Sequence, residues 1–217
     1  MTKRTEKTAH AVIDTCGETY AEQAGIRLRN SPASLYQLLV LSHLLSARIS
    51  SGVAVAAARA LFDAGMRDAR HMADATWQQR VDALGEGHYR RYDERTSTQL
   101  GDEANLLLER YGGDLRRLRE EGDVAELLQQ FPGIGPTGAD IFLREAQAVW
   151  PEYAPRVDDR MRAGAERVGL PRSPGALSRL VSEEELPHLA AGLVRVSLNK
   201  GLADEVRAAS HSTASSG

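Results

Sequence analysis

Apolar residues recur three or four positions apart through most of the chain, and alternating runs rich in β-branched residues are scarce. This periodicity predicts helices almost throughout and an all-α fold. A first helix is predicted over 7–23, with a linker over 25–30. Ser31 then stands as an N-cap with Pro32 at the first helical position, and Leu35, Leu38, Leu39 and Leu45 fall on inward positions. That segment is apolar nearly all round, which predicts a central, buried helix. Further helices are predicted over 53–64, 68–72, 76–84, 89–111, 115–120, 124–130, 137–149, 159–168, 174–181 and 183–199. Most are separated by short glycine-containing joints, with a proline-punctuated loop over 150–157. The Ala/Ser/Thr/Gly-rich end, 208–217, is read as a disordered tail, and no internal repeat is visible.

Composition narrows the picture. At 217 residues with 42% hydrophobic and 26% charged side chains, the chain can bury one large core or two small ones. No run of 18 or more apolar residues is present, so no membrane partner is expected. The first residues carry no apolar run of signal-peptide length, and the expected location is the cytoplasm, in association with the nucleoid. A net charge of −3 confines any nucleic-acid binding to a local basic face. Of the 27 basic side chains only Lys3, Lys7 and Lys200 are lysines, all near the chain ends. Cys16 is the single cysteine, which excludes an internal disulfide and a four-thiolate iron–sulfur cluster. It is assigned no chemistry.

One segment carries a specific signal. Helix 124–130 is followed by Phe131-Pro132-Gly133-Ile134-Gly135-Pro136 and a second helix from Thr137. Two glycines let the backbone turn tightly and approach a ligand, and the amides opening the next helix point outward together, which suits a phosphate. Ile134 would tuck into the helix pair. The same residues also describe an ordinary helical hairpin with a Gly/Pro turn.

With Leu127 and Leu128 before the turn and Ala139, Ile141, Phe142 and Leu143 after it, the segment resembles the helix-hairpin-helix DNA glycosylases of the endonuclease III type. In that family Leu-Pro-Gly-Val-Gly opens a helix and a Val-Asp pair follows. Here the pair is Val157-Asp158, and Arg167-Val168-Gly169-Leu170 matches a downstream Arg-Leu-Gly-Leu, which selects Asp158 over Asp159. Upstream, Ser31-Pro32 through Leu44-Leu45-Ser46-Ala47-Arg48 is similar to the family's Ser-Pro and Leu-Leu-Ser-Ala-Gln. The likeness covers roughly residues 30 to 170. It implies a six-helix barrel over 34–149 containing the hairpin (124–149). It also implies a second helical domain from 1–33 with 150–207, and an active site in the cleft between the two.

The activity implied is base excision from duplex DNA containing a damaged or mismatched base. Breaking an N-glycosidic bond passes through an oxocarbenium-like sugar, which a carboxylate stabilises while directing water. The resemblance assigns that role to Asp158, although an aspartate at a helix start also serves as an N-cap, a role equally open to Asp159. Bifunctional members carry a lysine just after the hairpin, where this chain has Thr137. Arginine cannot replace that amine, so the implied enzyme is a monofunctional glycosylase, acting as a monomer with no cofactor. A terminal lysine or the α-amino group leaves weak lyase activity as an alternative.

Other DNA contacts follow from the same likeness. Arg48 stands where the family inserts a glutamine into the gap left by the flipped base, and His88 where a second wedge enters the opposite strand. Both also read as solvated surface residues. Arg90, Arg91 and Arg95 on the predicted helix 89–111, and Arg116, Arg117 and Arg119 before the hairpin, suit phosphates. Asp93, Glu94, Glu120 and Glu121 make a salt-bridged face an equal reading. Tyr89, Tyr92, Trp77 and Trp150 fit either base stacking or core. The rival functions are a non-catalytic helix-hairpin-helix DNA-binding protein and a protein-interaction module.

Overall fold

The structure is a computed structural model and describes residues 3–212. In these residues the chain forms α1 (Lys3–Cys16), α2 (Tyr20–Gln23), α3 (Pro32–Ser46), α4 (Ser51–Asp63), α5 (Ala69–Asp74), α6 (Trp77–Glu86) and α7 (Asp93–Tyr111). There follow α8 (Leu118–Glu121), α9 (Val124–Leu128), α10 (Pro136–Ala146), α11 (Asp159–Arg167), α12 (Pro174–Leu177), α13 (Leu186–Leu198) and α14 (Lys200–Ser212), with short 3-10 turns at Leu115–Arg117 and Pro151–Tyr153. No strand occurs among the described residues, as the helical periodicity predicted. None of the helices is long and apolar enough to cross a membrane.

The chain divides into two compact units, Tyr20–Val149 and the residues up to Thr19 together with those from Trp150 onward. In the first, α3 is the central helix. Its residues 34–44 are all buried except Gln37, and Leu35, Leu38 and Leu39 are fully enclosed. Leu45 is only half-buried. Ser31 occupies the N-cap with Pro32 inside the first turn, but its side chain makes no capping bond. Its hydroxyl is therefore not what starts the helix; the φ fixed by Pro32 and burial of the following turns are.

The predicted helix 7–23 is two helices. Gly17 closes α1 with its N–H on Ile13 O at 2.8 Å, where a Cβ would stand 2.6 Å from that same oxygen. Residues 20–33, which the sequence grouped with the termini, belong to the Tyr20–Val149 unit. The buried carboxylate of Glu145 in α10 accepts the N–H groups of Tyr20 and Ala21, each at 2.8 Å, and so caps α2. The predicted helix 89–111 starts at Asp93 instead. His88 adopts φ +63, Tyr89 N–H bonds back to Leu84 O, and the Tyr89 ring is buried, so 88–92 form a loop. A left-handed Gly112 (φ +61) ends α7.

A polar tie holds α5, α6 and α7. Arg80, 8% exposed, donates from Nε to Ser97 O and from Nη1 to Met72 O and Ala75 O. In the other unit, Val12, Met161, Ala165, Leu189 and Leu193 pack together. Small residues let its helices approach: a Cβ on Gly164 would stand 1.9 Å from Leu193 O, and one on Gly192 would meet Val12 Cγ1 at 2.5 Å. Trp150 is fully buried, beside Tyr153. The expected tail does not begin at 208, because α14 continues to Ser212 with Ala203 and Val206 buried; residues 213–217 lie outside the described residues.

Candidate nucleic-acid interface

The hairpin is built by α9 and α10. Gly133 takes φ +83, a conformation other residues rarely adopt, and is exposed. Ile134 is buried at 4% and packs on Gly138, whose Cβ would lie 3.3 Å from Ile134 Cγ2. Its side chain therefore locks the turn, and only its backbone is left for a ligand. Gly135 is the N-cap of α10, with Pro136 in the first turn and no side-chain cap. The first intrahelical bond shown there is Ala139 N–H on Gly135 O. The N–H groups of Thr137 and Gly138 precede it, so this helix opens with donors that no side chain caps. Thr137 itself is exposed.

Behind Gly133 lies a pair absent from the sequence reading. The imidazole of His43 stands where a Gly133 side chain would be, 2.3 Å from an ideal Cβ. Its Nδ1 is 3.0 Å from Glu103 Oε2, and His43 and Glu103 are 4% and 0% exposed. Burial pushes the Glu103 carboxyl above its ordinary range, and His43 pulls it back only in part. Glu103 Oε1 has no hydrogen-bond partner. The sequence did hold a signal: His43 interrupts the apolar run of α3, and Glu103 sits on the inward stripe of α7 with Leu100, Ala104 and Leu107.

His43 and Gly133 also line a cavity of about 340 Å³ with Arg48, Tyr89, Tyr92, Arg95 and neighbouring polar side chains. Arg48 and Arg95 are exposed. Tyr89 is thus wall as well as core, and the half-buried Tyr92 is wall. Trp77 is 41% exposed, its Nε1 bonded to Thr98 Oγ1. His88, Arg90 and Arg91 are exposed on the 88–92 loop rather than on a helix, and Arg91 covers the Tyr92 ring at 5.2 Å. The second basic run is partly committed. The Arg116 fork is closed on Asp114 at 2.7–3.0 Å, which holds that carboxyl below its ordinary range.

Asp158 lies in the other unit. It is 9% exposed and is itself the N-cap of α11, with Oδ1 accepting Met161 N–H at 2.9 Å. Asp159, the other candidate cap, is the first helical residue and pairs with Arg162 at 3.0 Å.

The residues present do not fit an iron–sulfur cluster. Cys16, the only thiol, is half-buried, donates to Val12 O and Gly192 O, and is pushed up in pKa by burial. Among the described residues no group of three or more His, Cys, Asp or Glu could hold a metal ion.

No family model and no curated protein matches the chain. Solved structures do, among them two endonuclease III–DNA complexes. A trapped covalent endonuclease III–DNA intermediate, an estranged-adenine complex, is similar over 88% of this chain and 84% of its own, at 16% identity and a TM-score of 0.50. A non-covalent endonuclease III–DNA complex is similar over the same shares, at 17% identity and a TM-score of 0.51. The fold is therefore the all-α fold of endonuclease III, the fold to which the hairpin and the Val-Asp pair pointed.

Proposed function

We propose that this chain is a base-excision-repair DNA glycosylase that binds duplex DNA, flips out a damaged or mispaired base and hydrolyses its N-glycosidic bond. The observation that carries the reading is the hairpin. On a fold shared with DNA-bound endonuclease III, Gly133 and Gly135 present an exposed turn and an uncapped helix start suited to a backbone phosphate. Arg48 and His88 enter the duplex around the vacated position, and Arg90 and Arg91 contact phosphates.

Asp158 carries the chemistry, its carboxylate stabilising the oxocarbenium-like sugar and directing water to it. The exposed hydroxyl of Thr137 replaces the amine that a lyase needs, so the product is an intact strand with an abasic site. The protein works as a monomer, without cofactor, in the cytoplasm at the nucleoid.

The test is a panel of labelled duplexes, each with one damaged or mismatched base, scored for breakage with and without hot alkali beside Asp158→Asn. Breakage only after alkali, lost in the variant, is the expected result. Breakage without alkali refutes the monofunctional reading. The capping bond that Asp158 accepts from Met161 N–H favours one rival, a non-catalytic DNA-binding protein in which that aspartate is structural. Salt-dependent binding of every duplex with no excision is its outcome.

A further inference from the structure

The cavity behind the hairpin is lined by His43 and Arg95, which base excision leaves without a role. Its wall carries two exposed guanidiniums, Arg48 and Arg95, and no carboxylate. Its inner surface includes His43, whose Nδ1 is committed to Glu103. A net charge on a pair this deeply buried is costly, so the pair is neutral as a whole. That leaves two forms: an imidazolium on a carboxylate, or a neutral imidazole accepting at Nδ1 from a carboxylic acid. Both place a hydrogen on Nε2. In either form His43 brings a donor to a cavity already lined by two cations.

We infer that this cavity is a phosphate-binding site, in which Arg95 neutralises the phosphate and the Nε2–H of His43 donates to one of its oxygens. At about 340 Å³ the space exceeds a bare phosphate, and Tyr89 and Tyr92 supply aromatic surface for the rest of a nucleotide. The ligand class is a nucleotide phosphate, either one residue of a DNA strand or a free mononucleotide. The site needs only residues of the Tyr20–Val149 unit and does not depend on Asp158 chemistry.

The test follows the imidazole ¹⁵N signals of His43 in the full-length protein while deoxyadenosine monophosphate, inorganic phosphate or a short undamaged duplex is added. Saturable movement of those signals is expected. Arg95→Gln, an exposed substitution that leaves the fold intact, weakens the response about tenfold through loss of a charge-assisted contact. If the phosphate belongs to DNA, the duplex moves His43 and Arg95→Gln lowers the salt slope of duplex binding by about one. If only the mononucleotide does so, the ligand is free. Signals that stay still with all three probes, or respond equally in Arg95→Gln, overturn the site. A chain that binds no duplex yet responds to the mononucleotide refutes the glycosylase reading and leaves this one standing.

Discussion

The imidazole of His43 fills the volume that any side chain on Gly133 would require: an ideal Cβ there would lie 2.3 Å from Cε1 and 2.4 Å from Nε2. The hairpin glycine is therefore fixed twice, by φ +83 and by its neighbour. Gly133→Ala must pay for a left-handed alanine, about 1 kcal/mol, and displace a ring that is itself bonded to Glu103. A loss of about 2 kcal/mol or more is expected, which lowers Tm by roughly 4–8 °C in a chain of this size. Gly135→Ala meets nothing within 4 Å and has a negative φ. It should leave Tm nearly unchanged and, on the glycosylase reading, weaken duplex binding measured by anisotropy, because on that reading a phosphate approaches where the methyl group would stand. A Gly135→Ala protein that binds DNA normally would remove the hairpin from the interface.

Glu145 is the second fixed point. Both oxygens of its buried carboxylate accept backbone N–H groups, from Tyr20 and Ala21. Glu145→Gln keeps the size but sets an amide N–H against one of those donors. Hydrogen bonds to a charged group are worth roughly 1.5–3 kcal/mol, and the variant should lose about that much in denaturant unfolding. Residues 20–24 should become the first amides to exchange in the variant.

Asp114 makes stability depend on pH with a definite sign. Its side-chain hydrogen bonds to Arg116 hold the folded-state carboxyl below the ordinary 3.8. A depressed carboxylate stabilises the fold above the unfolded value, and the contribution fades as pH falls through the folded one. Asp114→Asn should therefore be less stable than the wild type at neutral pH and converge with it in strong acid. Paired unfolding curves across the acid limb check this, and a constant difference at every pH would refute it.

Much of the fold was legible because helices announce themselves locally. The all-round apolar run and Pro32 place α3, and the Gly-x-Gly turn places the hairpin. What stayed hidden was tertiary. Nothing near residues 20–23 says that a carboxylate 125 positions away caps them. Nothing in Gly87-His88-Tyr89 says that His88 will turn left-handed; that goes with the backbone closure of α6, in which His88 N–H bonds to Gly85 O and Tyr89 N–H to Leu84 O. The His43–Glu103 pair was half-visible as two polar residues on apolar stripes, but only their meeting gives it chemistry. Asp158 was legible as a cap and as a base-excision carboxylate, and the packing shows the cap.

His88 provides a test that separates stability from recognition. A non-glycine residue at φ +63 carries a backbone cost that glycine does not. The ring is exposed, so little packing is lost with it. His88→Gly should unfold at the same temperature or slightly higher. If the ring enters the duplex, the same variant excises more slowly from paired DNA, with a smaller deficit on a lesion opposite an abasic site, where less stacking must be broken. Equal excision on both substrates would make His88 a surface residue only.

Asp158 allows the sharpest division between scaffold and chemistry, because Asn and Asp cap helices about equally well. In Asp158→Asn the amide oxygen can still accept Met161 N–H, and the capping contribution falls only by its charge–dipole part, about 0.3–1 kcal/mol. Asp158→Ala loses the capping bond as well, about 1 kcal/mol more. On the glycosylase reading the two variants are equally inactive although their stabilities differ. If the aspartate serves only as a cap, activity tracks the folded fraction instead, and Asp158→Asn stays close to the wild type while Asp158→Ala falls with its Tm. Single-turnover excision measured well below both melting temperatures decides between them: an active Asp158→Asn protein would remove this carboxylate from the chemistry, whatever the stability of the alanine variant.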